Sequence, residues 1–165
     1  MKPALHSILT VAALLLIFTV ARIHAAGPDA PKAVYTGYDE KADGAQQIAE
    51  ALAAAKPGKK RVLLQFGANW CGWCRKLHAL YHDDPAIAAE LKAHYIVVFV
   101  DVNGAHNKAV DVRYGNPSDL GLPALVVLDA NGKQLKTQAS SEMEEGNHHS
   151  QPKVLAFLRT WAAAK

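Results

Sequence analysis

The chain has only two cysteines, Cys71 and Cys74, so a scaffold of several disulfides is excluded and any thiol chemistry must run through one pair. Long hydrophobic runs are also missing. The most apolar stretch, residues 8–21, is broken by Thr10 and Thr19 and falls short of the ~20 residues that span a bilayer comfortably. Neither charge sign dominates: eighteen Lys and Arg stand against fifteen Asp and Glu, a balance that gives no basic surface for nucleic acid. There is no internal repeat, and no low-complexity tract beyond alanine-rich patches.

What is present suits one globular domain: 165 residues, 50% of them hydrophobic and 20% charged. Met1-Lys2, the apolar residues 8–21 and the small or aliphatic Ile23-His24-Ala25 have the outline of a secretory signal peptide over residues 1–25. No cysteine adjoins the cut, which excludes a lipoprotein. Cleavage removes Lys2 and Arg22, lowers the formal charge from +3 to +1 and leaves no stable membrane anchor. Residues 26–33, with Gly27, Pro28 and Pro31, form a flexible leader, and residues 34–165 the domain.

Periodicity orders that domain. Residues 34–38 predict a short edge strand, and Asp43 and Gly44 precede a helix over 46–56 that Pro57-Gly58 should stop. Residues 61–67 are apolar apart from Gln65, as in a strand buried on both faces. Leu77, Leu80 and Tyr81 form the inward stripe of the next helix; Asp83-Asp84-Pro85 interrupts it, with Asp84 a candidate cap for a continuation over 86–93. A second buried strand over 96–102 is then the parallel partner of the first. A short helix over 107–114 leads to a connection over 115–121 that should pass near the cysteines. A strand over 124–128 turns at Asp129-Ala130-Asn131-Gly132 and returns antiparallel over 133–137. Residues 139–151 read as a polar loop, and Val154, Leu155, Leu158 and Trp161 recur on one face of a final helix. The fold class is α/β, a central mixed sheet flanked by helices.

Cys71 and Cys74 fall where the first buried strand turns into a helix. Two intervening residues let one helical turn bring the sulfurs within bonding reach, and a helix start favours a thiolate at Cys71. Cys71 is therefore the attacking sulfur and Cys74 the resolving one. An inert staple is the competing explanation in an oxidising compartment, but closing so short a loop restricts the unfolded chain little.

The apolar strand, then Gly67-Ala68-Asn69-Trp70-Cys71-Gly72-Trp73-Cys74-Arg75-Lys76-Leu77, then Leu122-Pro123-Ala124-Leu125-Val126-Val127-Leu128-Asp129 resemble the thioredoxin superfamily. Within it, the chain resembles secreted bacterial thioredoxin-like proteins whose active-site helix continues through an Asp-Asp-Pro type break. The resemblance covers residues 34–164. It implies a thioredoxin-like fold, a periplasmic location and a protein thiol–disulfide oxidoreductase that needs no cofactor. The implied partners are exported proteins with disulfides or thiols, and a membrane electron donor or oxidant that recharges the pair. It also implies a cis peptide bond before Pro123 facing the disulfide, with Leu122 lending the docking surface an apolar character and Trp70 and Trp73 flanking the reactive sulfur.

One departure from the family pattern stands out. Gln65 occupies the place where thioredoxins carry a buried acid that accepts and returns the proton of the resolving cysteine. A neutral amide cannot act as a carboxylate base, and the lysine that pairs with that acid is missing, its place falling near Val97. Deprotonation of Cys74 is expected to rely on water or on the partner protein.

The alternative function is a thioredoxin-scaffold binding module for partner or metal (zinc or copper) delivery, with the thiols as ligands. His78 follows Cys74 by four residues and Cys71 by seven, putting all three near one helix face, with His82 nearby. Glu142, Glu144, Glu145, His148 and His149 form a second cluster. No metal is expected at either: a closed zinc site takes four ligands, and mixed charges on a loop are usually solvated. Arg75 stands where a covalent haem motif needs histidine.

Overall fold

A computed structural model of the protein describes residues 37–104 and 106–163. The expected signal peptide, the leader and residues 34–36 of the expected edge strand lie outside the described residues; Gly37 and Tyr38, which are described, are not in a strand. Helix α1 (Gly44–Gly58) starts at Asp43, whose carboxylate accepts the N–H groups of Ala45 and Gln46 at 2.8 and 3.2 Å. Pro57 does not stop it. The proline sits in the last turn, where the carbonyl deprived of its N–H belongs to exposed Ala53 and meets water; the helix closes at Lys59 in the left-handed region (φ 50°).

Strand β1 (Arg61–Gly67) leads to α2 (Gly72–Asp83) and, across Asp84, to α3 (Pro85–His94). Asp84 caps α3 as expected, accepting from Ala86 and Ile87 at 3.0 and 2.9 Å. Then come β2 (Tyr95–Asp101), α4 (Lys108–Arg113), a 3-10 turn (Pro117–Leu120), β3 (Ala124–Leu128) and β4 (Gln134–Ala139). Residues 139–151 are not the loop expected. They hold a 3-10 turn (Ser140–Met143) and a small hairpin of β5 (Glu144–Glu145) and β6 (His148–His149), reversed at Gly146 with φ 60°. Helix α5 (Gln151–Trp161) ends the described chain.

The sheet runs β2-β1-β3-β4, with β1 parallel to β2 and antiparallel to β3, so it is mixed as expected. Strand alternation divides the core in two. Val62, Leu64 and Phe66 face Ile48, Ala51 and Ala55 of α1 and Val110 of α4; Leu63 faces Leu77 and Tyr81 of α2, Ile87 of α3 and Val154 and Leu158 of α5. Burying one such aliphatic side chain stabilises the fold by roughly 1.5–3 kcal/mol. Gln65 shares the Leu63 face of β1, the one that α2 covers, and the resulting position beneath the cysteines is a direct product of the period of two.

Candidate active site

β1 ends at Gly67, and a turn closed by the Cys71 N–H donating to the Ala68 carbonyl at 3.1 Å leads into α2. Cys71 precedes the helix in extended geometry (φ −69°, ψ 110°), and its Sγ accepts the N–H of Cys74 at 3.1 Å. A sulfur thus takes the place of a capping oxygen, among the unpaired N–H groups and the positive end of the helix dipole. Cys74 lies one turn on, its Cα 5.2 Å from that of Cys71, and the two are joined by a disulfide. Cys71 is 5% exposed and Cys74 fully enclosed, so a thiolate from solvent meets only the first sulfur.

Tyr38, Trp73, Phe99 and Leu122 pack around the pair. Leu122 is half-buried, its bond to Pro123 is cis, and Pro123 is buried where β3 begins. The connection over 115–121 packs on β1, β3 and β4 through its 3-10 turn, and the chain reaches the cysteines at Leu122. Asp111 of α4 anchors that turn: its carboxylate accepts the Ser118 N–H at 3.1 Å, the Ser118 hydroxyl at 2.7 Å and the Lys108 ammonium at 3.1 Å. Burial works upward on the Asp111 carboxyl, yet these donors outweigh it and hold the group below its ordinary range.

The two tryptophans differ. Trp70 is 63% exposed and donates from Nε1 to Asn103 at 3.2 Å. Trp73 is held: the Lys76 ammonium lies 4.2 Å above its ring, the His149 ring meets it edge-on at 5.2 Å, and His149 Nε2 donates to the Trp73 carbonyl at 3.2 Å. Lys76 also donates to the Asn147 carbonyl, so the β5–β6 hairpin is docked on the active-site helix. Burial holds the His149 pKa below 6.5, only partly offset by the Trp73 carbonyl and Glu144. Arg75 donates to the Asn69 carbonyl at 2.7 Å.

Gln65 is fully buried, and its Nε2 donates to the Tyr38 hydroxyl at 2.8 Å. On β2 the register pairs Gln65 with Phe99, and Leu125 flanks it on β3. Both neighbours are apolar. His78 lies against Phe99 at 5.1 Å and His82 at 4.5 Å, with the two histidine Nε2 atoms 3.3 Å apart; burial first, then His82, lowers the His78 pKa. Among the described residues, no three His, Cys, Asp or Glu side chains converge as metal ligands.

Sequence reasoning missed Tyr38 and Asn69, and put His149 in a solvated cluster where the structure buries it against Trp73. Asn69 accepts the Tyr38 N–H at 3.2 Å and donates to the Tyr38 carbonyl at 2.9 Å and to Glu40 at 3.0 Å, tying the residues before α1 to the turn before Cys71. A contact over 31 positions leaves no local pattern. His149 had a signal: Gly146-Asn147 between short flanks is a hairpin turn pair.

The sequence profile of the thioredoxin-like family matches residues 43–130. The thiol:disulfide interchange protein DsbD of Vibrio vulnificus is 36% identical over 88 residues, which are 53% of this chain and 14% of that protein. The disulfide bond reductase DsbH of Chlamydia pneumoniae is 33% identical over 101 residues, 54% of this chain and 58% of that one. The chain therefore spans about a seventh of the length of the DsbD protein it matches. Among solved structures, a disulphide isomerase from Xylella fastidiosa superposes with a TM-score of 0.65 at 34% identity, covering 74% of this chain and 94% of that one. The oxidised C-terminal domain of DsbD from Neisseria meningitidis, at 21% identity and a TM-score of 0.54, covers 73% and 97% and shares the fold. With a profile match over more than half its length, on the same strand, helix and disulfide that the geometry brings together, the chain belongs to the thioredoxin-like family.

Proposed function

We propose that this chain is a thiol–disulfide oxidoreductase that exchanges disulfides with exported proteins, with Cys71 as the attacking sulfur and Cys74 as the resolving one. The observation that carries it is the asymmetry of one bonded pair: Cys71 at the helix start reaches solvent, and Cys74 does not. A partner thiolate attacks Cys71 Sγ, the Cys71–Cys74 bond breaks, and its electron pair leaves on Cys74. In reverse, the Cys74 thiolate attacks the mixed disulfide at Cys71 and expels the partner. The same steps serve reduction and oxidation, and the donor or acceptor that recharges the pair sets the direction. A membrane-bound redox protein fills that role, and the basic and apolar N-terminus is read as the export signal to the periplasm. Exposed Trp70, braced Trp73, Leu122 and Pro123 form the docking surface for an extended partner segment. The names of the Vibrio and Chlamydia relatives support the same chemistry.

Insulin reduction driven by a dithiol tests it. The protein should accelerate the reaction, Cys71→Ser should abolish the acceleration, and Cys74→Ser should accumulate a mixed disulfide with insulin. Stoichiometric zinc or copper on the thiols, with no mixed disulfide in the Cys74→Ser variant, would overturn it.

A further inference from the structure

Residue 65 is an amide and not a carboxylate, and the structure shows what it holds beside the cysteines. Gln65 is enclosed between Phe99 and Leu125 on the α2-facing side of β1, and its Nε2 donates to the Tyr38 hydroxyl at 2.8 Å. Tyr38, 3% exposed, packs in one buried cluster with Cys71 and Cys74. The position of its hydroxyl can be read from Gly67: a Cβ added there would run into the Tyr38 hydroxyl and lie 2.7 Å from Cys74 Sγ. Only glycine leaves room for the phenol and the resolving sulfur to share that space. The ring is held edge-on against Phe99 at 5.6 Å, and the Tyr38 backbone is held at both its N–H and its carbonyl by Asn69, two residues before Cys71.

We propose that the Tyr38 hydroxyl is the hydrogen-bond donor that stabilises the Cys74 thiolate whenever the disulfide opens, with Gln65 as the positioning residue that turns it toward sulfur. This rests on the exchange chemistry proposed above. When a partner thiolate bonds to Cys71 Sγ, the electron pair of the broken bond arrives on Cys74 in an enclosed, apolar place where a bare anion is costly. Tyr38 O–H donates to it there without losing its proton; protonation of Cys74 follows from water or the incoming thiol. On the return step the same bond keeps Cys74 ionised for its attack on Cys71. Gln65 sets the sense of the chain. Its N–H groups donate, so the phenol oxygen accepts and the phenol O–H remains a donor, and a donated bond polarises the next. A carboxylate at residue 65 would draw the phenol proton to itself, which is the opposite sense.

The test uses the full chain. Tyr38→Phe keeps the ring and removes only the hydroxyl. In a Cys71→Ser background, ultraviolet thiolate absorbance reads Cys74 alone, and Tyr38→Phe should raise its pKa by about one unit, the loss of one bond to a charged group. With both cysteines present, opening of the disulfide by dithiothreitol should slow by about tenfold, compared at a temperature where both oxidised proteins remain folded, since the buried Gln65 Nε2 also loses its acceptor. Gln65→Glu should raise the same pKa without touching the ring. An unchanged Cys74 pKa and an unchanged opening rate in Tyr38→Phe would overturn the proposal; if that variant does not fold, Gln65→Met decides in its place, a raised pKa supporting it and an unchanged one overturning it. If the parent reduces insulin normally while these variants leave Cys74 unaffected, the role of Tyr38 fails and the exchange chemistry stands.

Discussion

Replacing Asn69 by alanine removes the brace between the turn before Cys71 and the residues before α1. Three bonds go: the Tyr38 N–H to Asn69 at 3.2 Å, and Asn69 Nδ2 to the Tyr38 carbonyl at 2.9 Å and to Glu40 at 3.0 Å. The Glu40 bond is exposed and contributes little. The other two serve the backbone of a residue that is 3% exposed, and each is worth about 0.5–1.5 kcal/mol, with more lost where water does not reach the stranded group. Asn69→Ala should therefore cost about 2 kcal/mol, which for a domain of this size lowers the melting temperature by roughly 8 °C. Asn69→Asp sharpens the expectation. It keeps an acceptor for the Tyr38 N–H but turns oxygens toward the Tyr38 carbonyl and the Glu40 carboxylate, so at neutral pH it should be at least as unstable as alanine and recover as the new carboxyl protonates. Thermal unfolding followed by circular dichroism, with the disulfide intact, reads both. Alanine within 1 °C of the parent, or aspartate as stable as the parent, would refute the brace.

Gly67→Ala puts a methyl group 2.7 Å from Cys74 Sγ and into the Tyr38 ring; overpacking of this kind should cost about 1–3 kcal/mol in denaturant unfolding, and a neutral result would show that the site has slack. Burial keeps His149, and with help from His82 also His78, below 6.5 in the fold, so in acid the unfolded chain takes up protons that the folded one excludes. Their contribution is full above about pH 6.5 and falls away as the pH drops through the lowered folded values. Melting temperatures should decline between pH 7 and pH 5, and His149→Gln, facing Lys76, Glu144 and His148 without titrating, should flatten part of that slope; an unaltered slope would contradict the assignment. Asp111→Ala releases Ser118 and Lys108 from the turn before Leu122, which should cost about 1–3 kcal/mol and raise KM in insulin reduction more than it lowers kcat. The reverse split would place the loop outside substrate docking.

The sheet was legible because its signals are local: residues 61–67, 96–102 and 124–128 are short apolar runs bounded by turns, and Trp70 to Cys74 sits where strand meets helix. The cap at Asp84 and the hairpin after Leu128 were legible for the same reason, since each is written in a few adjacent residues. What was not legible depends on distance in the chain. Tyr38 looked like part of an edge strand because its alternation with neighbours is compatible with one, whereas its position is set by Asn69, Gln65 and Phe99 far downstream. The β2 partner of Gln65 depends on register, which no single strand encodes: a shift of two residues along β2 keeps the same face and the same apolar character. His149 was hidden by composition, because Glu142, Glu144, Glu145 and His148 give its stretch the look of a solvated loop, while tertiary packing against Trp73 makes it a buried hairpin end.

The central claim is that residue 71, and not residue 74, exchanges with the outside. Glutathione disulfide presented to the folded single variants tests this directly, with the mixed disulfide counted by mass spectrometry over time. Cys74→Ser, which leaves the 5% exposed Cys71, should form the adduct at least ~100-fold faster than Cys71→Ser, whose remaining sulfur must wait for local opening of the fold. Equal rates, or a faster Cys74, would contradict the account.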